Sequence, residues 1–127
     1  MVLIEKAIMQ DFRKLMVWQK AHQLVLEVYR VSNRFPKEEV YGLTNQLRRA
    51  SVSIPANIAE GCGKYSDKDI ANYFQISLGS LHETEYYFLL CKELGYLTPE
   101  EHASLQAVLQ AIKAMLIRLI QKVRQAS

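Results

Sequence analysis

Four stretches of this chain repeat apolar residues at helical spacing, and the breaks between them are only a few residues long. That pattern leaves room for little except helices packed side by side. In the first, roughly 12–34, one apolar series runs Leu15, Trp18, Val25, Val28 and Tyr29, and a second runs Val17, Ala21, Leu24, Val28, Val31 and Phe35. Asp11 is placed to cap its start. Phe35-Pro36 ends it, because the residue before a proline is pushed out of the helical region. The double series makes a stripe wider than one core face needs. A partner subunit is therefore expected to share Val17, Trp18, Leu24, Val25, Val28 and Val31, which form the predicted oligomer interface.

The second helix is predicted from Thr44 to Ala59, with Leu47, Ala50, Ile54 and Ile58 on one face and Tyr41-Gly42 turning the chain into it. Pro55 lies inside that pattern, where it removes a backbone donor and predicts a kink, with Ser51 or Ser53 helping the freed groups. Gly61-Cys62-Gly63 is expected to stop this helix. The third opens on Ser66-Asp67-Lys68-Asp69, a capping-box-like start, and runs to Leu94, where Gly95 can adopt the left-handed conformation of a helix end. Gly79 inside it is tolerable if another helix approaches closely there. The fourth begins at Thr98-Pro99-Glu100-Glu101, with threonine as cap, proline at the first helical position and glutamate at the third. Its series Leu105, Val108, Leu109, Ile112, Leu116, Leu119, Ile120 and Val123 continues toward the C-terminus. Only residues 2–8 show any strand-like alternation. The expected fold is all-α, an antiparallel up-and-down four-helix bundle forming one domain over 1–127.

A chain of 127 residues can bury a core without covalent staples. Two cysteines, Cys62 and Cys91, are too few for a disulfide framework and are not at zinc-site spacing, which suits a reducing cytoplasm. Met1 to Ile4 is cut short by Glu5 and Lys6, and the apolar run Tyr86 to Cys91 is too short for a bilayer, so a cytoplasmic protein with no membrane partner is expected. The net charge is +3. Residues 1–36 carry Lys6, Arg13, Lys14, Lys20, Arg30 and Arg34 against Glu5, Asp11 and Glu27. Residues 66–95 carry Asp67, Asp69, Glu83, Glu85 and Glu93 against Lys68 and Lys92. After Ala111, Lys113, Arg118, Lys122 and Arg124 occur with no acid, partly because cations suit the negative end of a helix dipole.

Catalytic constellations fail on spacing. His82-Glu83-Thr84-Glu85-Tyr86 begins like a zinc-protease helix but has Tyr86 where the second histidine belongs. Glu60, Glu83 and Glu85 lack the histidine three residues later that a di-iron bundle uses. Gly61-Cys62-Gly63-Lys64 lacks the first glycine and the final Ser or Thr of a phosphate-binding loop. No arginine has a histidine four to six residues later, as in some compact all-α ribonucleases. His22, His82 and His102 stand singly. Cys62 reads as a small residue in a turn and Cys91 as a buried thiol. The chain is thus expected to be no enzyme and to hold no metal and no cofactor. Arg48-Arg49 are about 100° apart around their helix, so one can pair with an acid such as Glu60 while the other meets a phosphate. Trp18, Tyr29, Phe35 and Tyr41 read as core packing more readily than as base-stacking groups.

The run Arg48-Arg49-Ala50-Ser51-Val52-Ser53-Ile54-Pro55-Ala56-Asn57-Ile58-Ala59-Glu60-Gly61 resembles the signature of the four-helix-bundle proteins encoded in 23S rRNA intervening sequences. So do Leu15, Val17-Trp18-Gln19-Lys20-Ala21, Phe35-Pro36, Tyr41-Gly42-Leu43 with Gln46, Gly79-Ser80-Leu81 with Glu83 and Glu85, and Leu94-Gly95-Tyr96. The resemblance spans roughly 11–97. It implies a bundle that assembles into a ring, typically a pentamer, without catalytic activity. Relatives include the accessory protein of diversity-generating retroelements, a basic barrel that binds nucleic acid and a reverse transcriptase. This chain departs from the pattern at Cys62, where an aromatic is common, at Lys64, an arginine elsewhere, and at Leu78, where a basic residue is frequent.

Within the signature, Asn57 and Glu60 are expected to bond backbone groups that Pro55 leaves free, or to pair with Arg48 or Arg49 across the kink. The combined expectation is a homo-oligomeric accessory protein that binds RNA or DNA through Arg48, Arg49, Lys64, Lys113, Arg118, Lys122 and Arg124. The alternative is a scaffold that docks a partner protein through its aromatic and acidic surface.

Overall fold

The computed structural model describes residues 10–126, and the alternation at 2–8 lies outside them. Four helices follow one another: α1 (Met16–Ser32), α2 (Leu43–Cys62), α3 (Asp67–Glu93) and α4 (Pro99–Gln125), with short 3-10 turns at Phe12–Lys14 and Lys37–Glu39. Each packs against its neighbours in chain order, and α4 closes the ring against α1. Side-chain contacts fix the directions. Arg124 of α4 donates to Gln75 near the start of α3, whereas Gln110 nearer the start of α4 donates to Glu85 toward the end of α3, at 2.8 Å. Arg34, just past α1, pairs with Glu101 in the first turn of α4. The fold is the expected all-α four-helix bundle, and no strand occurs among the described residues.

The helix limits shift where a cap competes with the apolar pattern. Asp11 does cap, but it caps the 3-10 turn by accepting from the Arg13 amide at 3.3 Å, so α1 starts at Met16 rather than 12. α2 begins at Leu43, where the Glu39 carboxylate accepts from the Leu43 amide, and runs through Gly61 and Cys62 before Gly63 ends it. The glycines at 61 and 63 therefore have different roles. At the end of α3, Gly95 has φ +81°, and the amides of Gly95 and Tyr96 donate to the carbonyls of Lys92 and Cys91, the crossed pair of a Schellman motif. Thr98 and Glu101 form a reciprocal capping box at the start of α4.

α2 is continuous through Pro55, which is buried. Polar side chains reach several carbonyls around it. Ser51 Oγ donates to the Arg48 carbonyl, Asn57 Nδ2 to the Ser53 carbonyl, and Ser77 Oγ, across on α3, to the Ile54 carbonyl at 2.8 Å. Ser53 and Ser80 bond hydroxyl to hydroxyl at 2.8 Å across the same seam. Asn57 bonds a backbone carbonyl near Pro55, that of Ser53 rather than the Ser51 carbonyl the proline frees, and Glu60 is exposed and makes no ion pair with Arg48 or Arg49. The close approach sits at Gly61, where a Cβ would lie 2.9 Å from Cε1 of the fully buried Phe74. At Gly79 a Cβ would meet nothing within 4 Å, so no neighbouring helix approaches closely there.

The first-helix stripe requires a correction. Val17, Leu24, Val25, Val28 and Val31 are all buried within one chain, and only Trp18 of the predicted interface is partly exposed. At 100° per residue these positions fall in one sector roughly 120° wide. A helix in a four-helix ring has two neighbours as well as a central core, and together they cover a sector of that width. Trp18, on its edge, stacks on His22 and packs against Phe12, both with ring centroids at 4.9 Å.

α4 contains an 18-residue window of mean hydropathy 1.4, so it is long and apolar enough to cross a bilayer by composition alone, unlike the run at 86–91. Its residues Leu105, Leu109, Ile112, Leu116, Ile120 and Val123 are those that the bundle core buries, while most of the window is not buried in this chain.

The two glycines make opposite predictions. Gly61→Ala should lower the unfolding free energy by about 1–3 kcal/mol, because the ring it meets is locked in the core. Gly79→Ala should raise it by about 0.5–1 kcal/mol, since an exposed mid-helix glycine costs only backbone entropy. Urea unfolding followed by circular dichroism measures both.

Candidate nucleic-acid interface

The seven cations predicted to meet phosphate do not form one patch. Arg48 is partly buried and engaged: its Nε donates to Ser32 Oγ at 2.8 Å, and its guanidinium lies over the Tyr29 ring, 4.6 Å from the centroid. It ties α2 to α1. Arg49 beside it is exposed. Both sit early in α2, and Lys64 lies past its end, so at 1.5 Å per residue they are about 20 Å apart along the axis. Lys64 places Nζ 4.9 Å from the Tyr73 ring centroid.

On α4 the cations divide again. Lys113 and Arg124 are eleven residues apart and fall on one side, facing α3, where Arg124 meets Gln75. Arg118 and Lys122, four apart, fall on another, beside an open depression of about 450 Å³ that Met115 and Leu119 also line. The four cations therefore do not form a single row. Arg118, Lys122 and Arg124 nevertheless share one end of the bundle with Lys64.

Topology sorts charge between the two ends. The end formed by the start of α1, the end of α2, the start of α3 and the end of α4 carries Arg13, Lys14, Lys20, Lys64, Lys68, Arg118, Lys122 and Arg124. Its acids are Asp11, Glu60, Asp67 and Asp69. The opposite end holds Glu27, Glu38, Glu39, Glu93, Glu100 and Glu101 beside Arg30, Arg34, Lys37, Arg48, Arg49 and Lys92. There Arg30 pairs with Glu27 and Arg34 with Glu101, while at the basic end Arg13 pairs with Asp11 at 3.6 Å. Hydrogen bonding to Arg30 holds the Glu27 carboxyl below its ordinary range, and the Thr98 backbone followed by Arg34 does the same for Glu101.

Sequence reading missed Tyr65 in this context. It is 85% exposed, next to Lys64 at the basic end. An exposed aromatic among lysines is the arrangement that base stacking uses, and the run Lys64-Tyr65-Ser66-Asp67-Lys68 carried that signal. Arg13, Lys14 and Lys20 join the same end only through the fold.

Cys62 and Cys91 are both buried, and burial pushes each thiol up to about 12, with Glu39 adding to the effect at Cys91. His82 approaches Glu85 at 3.7 Å, but Glu85 also accepts from Gln110. No three His, Cys, Asp or Glu side chains among the described residues stand together as a metal site.

Residues 13–118 match the family described as 23S rRNA-intervening sequence protein. A crystal structure of a protein of unknown function from the S23 ribosomal protein family, from Bacteroides thetaiotaomicron VPI-5482, is similar to this chain with a TM-score of 0.77 and 26% identity. The match covers 83% of this chain and 98% of that one. No curated protein sequence matches.

The buried thiols carry a prediction of their own. Their folded form keeps protons that an unfolded thiol releases above about pH 8.5. The stability linked to them is therefore present below that pH and falls as pH rises toward 12. Native protein at pH 8 should react with a thiol reagent only at the rate of unfolding, and urea should release two fast-reacting thiols. Rapid modification of the native chain at either cysteine would contradict this.

Proposed function

Because the chain belongs to the 23S rRNA-intervening sequence protein family, we propose that it is a non-enzymatic, homo-oligomeric bundle of the cytoplasm that binds structured RNA or DNA through phosphates. The binding surface is the basic end, with Lys64, Arg118, Lys122 and Arg124 from the predicted set and Arg13, Lys14 and Lys20 added by the fold. The sorting of charge to that end is the observation that carries the reading. No metal or cofactor enters it. A ring, with five as the expected subunit number, multiplies a modest cationic surface into one that releases many counterions. Apolar surface available for assembly lies along the α1–α4 seam, where Met16 is 62% and Val108 39% exposed beside a depression of about 610 Å³.

Readout is expected through backbone and shape, because no helix presents a run of Asn, Gln and Arg suited to groove edges. A docking scaffold is the second reading. It draws on the α3–α4 face, where Tyr86 is 57% and Leu89 44% exposed around His82, Glu85 and His102.

Light scattering coupled to size exclusion should give a mass several times 14.6 kDa, and a clean monomer would remove the assembly. Binding to duplex and structured RNA should weaken steeply from low to moderate salt. Arg118→Glu with Lys122→Glu, still oligomeric, should lose most of that binding, while Arg49→Glu at the other end should keep it. Equal binding by both variants would mean the basic end is not the surface, and absence of binding by the unmodified protein at low salt would favour docking.

A further inference from the structure

At the end opposite the basic one, a small cavity of about 130 Å³ opens between the end of α1, the 37–39 turn and the first turns of α2. None of its lining side chains is acidic, and two of them are cationic, Arg48 and Lys37. Arg48 is held from two sides, by the Nε bond to Ser32 Oγ and by the Tyr29 ring, which fixes the guanidinium plane. Its Nη groups form no ion pair or hydrogen bond with any described residue. Glu39, the acid in the adjoining turn, is occupied by the Leu43 amide and the Tyr96 hydroxyl. Thr44 lines the same cavity, is 5% exposed, and its Oγ1 is buried without a partner. A buried hydroxyl with nothing to bond is costly and uncommon in a native core.

We propose that this cavity is an oxyanion site that takes a phosphate group, with the Arg48 Nη donors as its ligands, the Thr44 hydroxyl turning from its buried position to join them, and Lys37 in its lining. A preorganised guanidinium presents parallel donors that suit phosphate oxygens. Thr44 stands in the first turn of α2, where the helix dipole adds positive potential. The volume is well below the roughly 300–1,000 Å³ of sites that enclose whole small molecules, yet it admits a phosphate, free or at a strand terminus. The inference does not rest on the basic-end reading, because the two sites lie at opposite ends.

Titrating the isotopically labelled full chain with inorganic phosphate, at constant ionic strength against chloride, tests it by NMR. Saturable shifts are expected at the Arg48 Nε–H and the Thr44 amide. Thr44→Val keeps shape and fold, and should weaken phosphate binding roughly fivefold through loss of one hydrogen bond. Arg48→Lys, which keeps charge but loses the fixed plane, should weaken it at least as much. In a second arm, a 5′-phosphorylated oligonucleotide replaces phosphate. If it moves the same two resonances with the same dependence on Thr44, the ligand is a strand phosphate, and if only phosphate does so, it is a free oxyanion. No saturable shift in either arm, or shifts that both variants leave unchanged, would overturn the site. Arg118→Glu with Lys122→Glu should leave these shifts intact, so failure here is distinct from failure at the basic end.

Discussion

The seam between α2 and α3 is the contact on which the rest of the bundle depends. Three features let the two backbones come close: Gly61 lies against the Phe74 ring, the Ser53 and Ser80 hydroxyls meet, and Ser77 donates into the α2 backbone at Ile54. Small hydroxyl residues supply donors without holding the helices apart. The seam therefore gives Ser53, Ile54 and Gly61 of α2, with Phe74, Ser77 and Ser80 of α3, a structural role.

Arg48 and Arg49 show how far adjacent, chemically equal residues can diverge. The 100° step between them turns Arg48 toward α1, against Tyr29 and Ser32, and leaves Arg49 in solvent. Arg48 stabilises through stacking and a hydrogen bond that lysine could not reproduce. The α4 cations follow the same geometry: positions four apart share a side, and positions five or six apart do not.

Charge sorting by end follows from antiparallel packing. Alternating directions bring the close of α4 beside the opening of α1, so clusters from the two termini of the chain add together at one end. Acids from the link after α1 and from the opening of α4 gather at the other, where they pair with arginines and cap helices.

Much of the fold was legible in sequence because its causes are local. Thr98-Pro99-Glu100-Glu101 starts a helix, Gly95 ends one, and the apolar series of α4 identifies the residues that the core takes, each from interactions within a few residues along the chain. The class of the fold, the number of helices and the absence of workable spacing for common catalytic sets were determined at that level. The width of the first-helix stripe, the place of the close approach and the grouping of cations were decided only by tertiary structure. Each depends on which neighbour covers a given sector of a helix. That is a relation between segments distant in sequence, which periodicity along a single segment does not encode.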